Sequence, residues 1–130
     1  MQLNKILYNS TYEVVDGLYS VAKIEKNFQC SEIFMVSFDN SEATAIYKQG
    51  TAQTGVIEAK NNYKLIAINV AVPFYSPGFI ATISNSLAQN CIPVLVVSTY
   101  SKDYFIVQEK DYWGAIYELK KLGIKESRGE

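Results

Sequence analysis

The sequence predicts an α+β fold in two layers, with helices packed on one face of a largely antiparallel sheet. Three observations carry that prediction. The first half holds pairs of short apolar runs separated by turn residues, while the second half reads strand, helix, strand, strand, helix. The chain, 130 residues with 48% hydrophobic and 19% charged, has material for one core or for two very small subdomains sharing one.

Residues 12–15 and 18–24 are expected as strands flanking Asp16-Gly17, a dipeptide suited to a two-residue hairpin turn. Residues 33–38 and 43–47 form a second expected hairpin around Asp39-Asn40-Ser41-Glu42. Residues 49–62 are polar, contain Gly50 and Gly55, and read as a connection with a short strand near Val56-Ile57.

A strand is expected over 65–74. Leu65, Ala67, Asn69 and Ala71 alternate on it with Ile66, Ile68, Val70 and Val72. Pro73 and Pro77 bracket the turn that follows. Ser76 suits an N-cap, and Pro77 the first helical position, where a missing N–H costs nothing. That helix runs to about residue 90, with Ile80, Ile83 and Leu87 at core spacing. Residues 94–99 and 104–108 form another hairpin. A last helix begins at an Asp111 cap and turns Tyr112, Ala115, Ile116, Leu119 and Leu122 inward. It carries Lys120 and Lys121 in its final turn and stops at Gly123. Ile124 then opens a short last strand. A right-handed β-α-β crossover followed by a hairpin and a second helix is a ferredoxin-like sandwich.

The halves also resemble each other. Residues 33–48 align with 94–109, placing Val36-Ser37 on Val97-Ser98, Glu42 on Asp103 and Ile46 on Val107. Two readings stand: a duplicated unit whose first copy lacks most of its first helix, or a coincidence between two apolar hairpins.

Composition removes several function classes. The net charge is −1, from 12 basic and 13 acidic residues, and Arg128 in the tail is the sole arginine. Nucleic-acid binders concentrate Lys and Arg on one face, so no nucleic-acid partner is expected. There is no histidine, which removes the commonest general base and metal ligand. Cys30 and Cys91 form no CxxC pair and read as reduced buried thiols, with a disulfide or a reactive thiol as the alternative. No signal peptide opens the chain, and no run of about 18 apolar residues spans a membrane. A cytoplasmic protein without cofactor, metal or membrane partner is expected. From residue 65 to residue 101 there is no charged residue at all. The outer helical positions Thr82, Asn85, Ser86 and Gln89 fall in that stretch. A helix or strand edge there is expected to meet another subunit, most simply in a homodimer, or the other half of the chain, the alternative being a central strand and a quiet helix.

The runs Val72-Pro73-Phe74-Tyr75-Ser76-Pro77-Gly78-Phe79-Ile80, Leu87-Ala88-Gln89-Asn90-Cys91-Ile92-Pro93 and Val97-Ser98-Thr99-Tyr100-Ser101-Lys102-Asp103-Tyr104 resemble the ACT domain. Within that family the likeness is to small paired-ACT proteins related to the CASTOR arginine sensors and to aspartate kinase regulatory segments. It covers about residues 63–123, and more loosely 18–47. Cys91 stands where the family has glycine, and Lys102 adds a charge beside Asp103.

The resemblance implies a βαββαβ fold and regulatory binding of an amino acid. It divides the chain into a degenerate N-terminal unit, residues 1–58, and an ACT-like domain, residues 59–130. The candidate ligand-binding residues are Ser76, Pro77, Gly78, Phe79, Ile80, Ser98, Thr99 and Asp103. Backbone N–H groups at a helix start favour a carboxylate, Gly78 permits close approach, and Asp103 suits an ammonium. No catalytic residues are assigned, because Glu25, Glu32, Glu58 and Glu109 form no paired constellation. A ligand-binding sensor and a purely structural association module are the two readings carried forward.

Overall fold

The structure, a computed structural model, describes residues 2–70 and 77–127. It divides into two compact units, one of residues Met1–Val15 with Leu65–Glu130 and one of Asp16–Lys64. The sequence places the division at 58/59. In the structure the first fifteen residues pack with the second half of the chain.

The first unit contains α1 (Leu3–Asn9), β1 (Thr11–Val14), the end of β5 (Ala52–Asn69), α2 (Phe79–Gln89), β6 (Leu95–Ser98), β7 (Lys102–Gln108), α3 (Tyr112–Lys121) and β8 (Lys125–Glu126). From β5 onward this order is βαββαβ, the ferredoxin-like succession. Its strands lie in the order β8-β1-β5-β7-β6. β1 is antiparallel to β5, with Glu13 opposite Ala67, and parallel to β8. One core joins the alternate strand residues Tyr12, Ile66, Ile68, Phe105 and Val107 to Phe79, Ile83 and Leu87 of α2 and to Ala115, Ile116 and Leu119 of α3. All three helices therefore cover one face of this sheet, as the α+β prediction requires.

α1 has no counterpart among the elements expected from sequence. Leu3, Ile6 and Leu7 carry helical spacing, but seven residues cannot hold a helix in water without tertiary contacts. Here Ile6 and Leu7 are buried in the common core.

α2 starts later than expected. Gly78 is the residue before the helix, and it adopts a left-handed φ of 87° with no side-chain cap. Phe79 takes the core position expected of Ile80, which is 39% exposed. The true spacing is 79, 83, 87. At the other end Cys91 takes a left-handed φ of 59°. Its N–H donates to Ala88 O at 2.9 Å, and Ile92 N–H donates to Leu87 O at 3.0 Å. This is a Schellman closure with cysteine where glycine is preferred. The position also exposes Cys91, so of the two free thiols only Cys30 is partly covered. α3 closes in the same way at Gly123 (φ 96°). Asp111 does precede α3, but at φ −100°, ψ 0° it makes no capping bond, because a 3₁₀ turn (Glu109–Asp111) leads into the helix.

The second unit has no helix. Its strands are β2 (Tyr19–Cys30), β3 (Ile33–Phe38), β4 (Ala43–Lys48) and the first part of β5, in the order β3-β4-β2-β5. Ala22, Ile24, Ala45 and Tyr47 form a small core of their own. The β3–β4 hairpin matches the sequence expectation. Asp39 Oδ1 accepts from the Ser41 and Glu42 N–H groups at 2.7 and 2.9 Å, fixing the turn.

Two expectations fail here. Asp16-Gly17 does not turn a hairpin: β1 and β2 pair with different stretches of β5, each antiparallel, and not with each other. Residues 49–62 are not a connection but mostly strand. β5 is polar there because much of it is exposed, and bulges interrupt its register with β2. Gly55 is required at one of them. Its φ is 87°, and a Cβ there would lie 2.4 Å from Phe28 Cα. Residues 71–76, which include the end of the strand expected over 65–74, and the Ser76 cap lie outside the described residues.

Two substitutions test this account by urea denaturation. Cys91→Gly is expected to raise stability by about 1 kcal/mol, the cost of a left-handed L-residue. Gly55→Ala is expected to lower it by at least about 1–2 kcal/mol on φ alone, with the Phe28 clash adding to that.

Candidate functional site

The candidate residues fall into two groups. Pro77, Gly78, Phe79 and Ile80 form the entry to α2. Phe79 is committed to the core at 3% exposure, so only its backbone is available to a ligand. The first N–H groups of any helix lack intrahelical acceptors. The first intrahelical bond seen here is Thr82 N–H to Gly78 O at 2.8 Å. No side chain caps Gly78. A Cβ on Gly78 would lie 3.6 Å from Leu3 Cδ2, an ordinary contact, so the glycine is demanded by its φ and not by crowding.

Ser98, Thr99 and Asp103 form the second group, at the β6–β7 turn. Ser98 and Asp103 are cross-strand partners. The Ser98 hydroxyl donates to Asp103 Oδ1 at 2.6 Å. Thr99 N–H donates to Lys102 O at 2.8 Å, and its hydroxyl donates to the same oxygen at 3.3 Å, closing the turn.

Lys102 does not neutralise Asp103. Its Nζ lies 2.8 Å from Glu13 Oε1 on β1. Glu13 sits opposite Ala67, so this pair anchors the start of β7 beside the C-terminal end of β5.

Glu13 was not foreseen as a site-shaping residue. Its strand was expected in a hairpin with β2, which would have aimed it elsewhere. Glu118 was also missed. It is a buried glutamate, 4% exposed, three residues after the inward Ala115. That spacing was the available signal. Among the described residues no three of Cys, Asp and Glu gather to hold a metal ion. No helix among them is long and apolar enough to cross a membrane.

The helix-on-sheet unit with a glycine-led α2 and a polar β-turn defines a ferredoxin-like domain. Residues 58–121 match the ACT domain family. No curated protein matches the sequence significantly. Among solved structures, a Vibrio cholerae protein of unknown function, described as a possible transport protein, superposes with TM-score 0.72 at 16% identity. The match covers 93% of this chain and 95% of that one. An Agrobacterium tumefaciens protein matches at TM-score 0.71 and 16% identity over 93% and 96% of the two chains. The aspartate kinase regulatory subunit from Thermus thermophilus, in ligand-free form, matches at TM-score 0.57 and 9% identity, over 85% and 95%. These likenesses show a shared fold.

Among the described residues of this unit, three groups titrate above their ordinary values. The hydrogen bond from Lys102 to Glu13 raises the ammonium. Burial, followed by the Glu126 charge, raises the phenols of Tyr12 and Tyr112. A raised folded pKa means that the unfolded chain releases its proton first as pH climbs. The stabilisation is complete below the unfolded pKa values near 10 and is lost above them. Melting temperatures measured from pH 8 to pH 11.5 are expected to fall beyond about pH 10. In Tyr12→Phe that fall should be shallower.

Proposed function

We propose that this protein is a non-catalytic regulatory module that binds an amino acid at the α2 entry and the β6–β7 turn. One observation carries the reading. Asp103 is held in place by a hydroxyl while the adjacent cation, Lys102, is engaged by Glu13. An oriented carboxylate beside a hydroxyl suits the α-ammonium of a ligand, through a charge-assisted hydrogen bond. The first-turn N–H groups following Gly78 suit its α-carboxylate. The ACT match over residues 58–121 and the fold shared with aspartate kinase regulatory subunits support a regulatory role. On this reading Asp16–Lys64 is the degenerate partner unit of a tandem pair.

A structural association role has its own supporting observation. β6 pairs with β7 alone among the described strands, and its Leu95 and Val96 are 44% and 36% exposed. A short apolar edge of this kind favours pairing with another copy. The sequence expectation is a contact at a helix or strand edge of the charge-free stretch, and on α2 the outer positions Thr82, Asn85, Ser86 and Gln89 are polar. We therefore place the homodimer contact at β6, where it is compatible with ligand binding.

Two measurements test these readings. A screen of common amino acids by thermal shift is expected to find one that raises the melting temperature. Ligand at about 100 times its Kd adds about 2.7 kcal/mol, worth roughly 2–8 °C per kcal/mol. Asp103→Asn keeps an acceptor for Ser98 and should abolish the shift. A shift that survives it moves the site elsewhere. Light scattering is expected to show a dimer that Leu95→Lys dissociates and Asn85→Lys does not.

A further inference from the structure

The charge-free outer face of α2 lines a pocket. Thr82, Asn85, Ser86 and Gln89, spaced i, i+3, i+4 and i+7, face Glu118 and Lys121 of α3 across a cavity of about 320 Å³. That volume is at the small end of ligand sites. At its wall the Glu118 side chain is only 6% exposed. Its Oε1 accepts a 2.7 Å hydrogen bond from the Ser86 hydroxyl. The cation nearest it in the pocket, Lys121, stands 3.7 Å away and is 56% exposed.

Burying a carboxylate is costly unless a cation and hydrogen bonds compensate it. A neutral hydroxyl and a lysine beyond hydrogen-bond length do so incompletely. Lys121 also has an alternative partner, since its Nζ lies 5.6 Å from the centre of the Tyr117 ring. It can withdraw to that ring when another cation enters. The rest of the lining consists of the α2 amides and hydroxyls, which both donate and accept and so complement ligand hydroxyl groups, together with the apolar Leu122.

We propose that this α2–α3 pocket is a second ligand site, for a small hydroxylated primary amine such as an amino sugar or amino alcohol. The ligand ammonium donates to Glu118, and its hydroxyls meet Thr82, Asn85 and Gln89. The site does not depend on the one proposed above and lies on the helical side of the unit, away from the β6–β7 turn.

The test is a titration of the ¹⁵N-labelled protein with D-glucosamine at pH 6.5, where the amine is charged. N-acetyl-D-glucosamine serves as the probe with the charge removed, and ethylamine as the probe without hydroxyls. Saturable shifts are expected at residues 82–89 and 118–122, with both control probes binding at least tenfold more weakly. Glu118→Gln keeps the shape and the Ser86 contact. It should weaken glucosamine by roughly 10- to 100-fold, the value of a hydrogen bond to a charged group. Asn85→Lys, at an exposed rim position that leaves the core untouched, should weaken it as well by repelling the ammonium. Absence of saturable shifts in the wild-type protein overturns the proposal. So does equal affinity for the acetylated probe, or unchanged affinity in both variants.

Discussion

Burial of one strand segment on both faces is the constraint around which the first unit is arranged. Leu65, Ile66, Ala67 and Ile68 are consecutive in β5, and none is more than 1% exposed. A strand of this kind needs neighbours on both edges and cover on both sides. β1 and β7 supply the edges. On the helical side Ile66 and Ile68 meet α1, α2 and α3 in a single core. On the opposite side Ala67 is small, and it sits opposite Glu13, whose carboxylate holds Lys102 at the start of β7. The candidate ligand turn is thus tied to β1 through one half-buried ion pair, in addition to the pairing of β7 with β5. Such a pair contributes little stability, about 0–1 kcal/mol. Its role is directional: it keeps the lysine away from Asp103.

The second unit is built without helices. Its sheet is small, and Ala22, Ile24, Ala45 and Tyr47 form a core of few residues. Its specificity comes from turns and bulges. The Asp39 turn sets the β3–β4 register, and Gly55 allows the backbone of β5 to approach Phe28. Neither contributes much apolar burial. Both determine which residues face each other along strands that are polar for much of their length.

The helices of the first unit divide their surface between the core and a polar side. α2 gives Phe79, Ile83 and Leu87 to the core and keeps Thr82, Asn85, Ser86 and Gln89 for the other side. That polar side meets a buried glutamate of α3. A helix face without Lys or Glu is unusual for a solvent-exposed helix, and a pocket accounts for it as well as a subunit contact does. The closures of both helices are of one kind. α3 ends on glycine, and α2 ends on Cys91, which accepts the strain of a left-handed φ.

The sequence by itself determined the succession of elements from Leu65 onward and the α+β class. It did so because periodicity, Pro77, Gly78 and Gly123 are local signals of local geometry. It also determined the β3–β4 turn, since Asp39 bonds to residues two and three positions away. Ser98, Thr99 and Asp103 could be placed together from the sequence for the same reason, being joined by one hairpin. Strand partners were decided only by the tertiary structure. β1 looks like half of a hairpin until it is seen beside β5, far along the chain, and the polar residues 52–62 become strand only because β2 lies alongside them. α1 exists because Ile6 and Leu7 find a core that seven residues cannot provide. The partnership of Lys102 with Glu13 and the pocket around Glu118 join residues that no local spacing connects. Their geometry follows from which elements pack together, and that is set by burial summed over the whole chain.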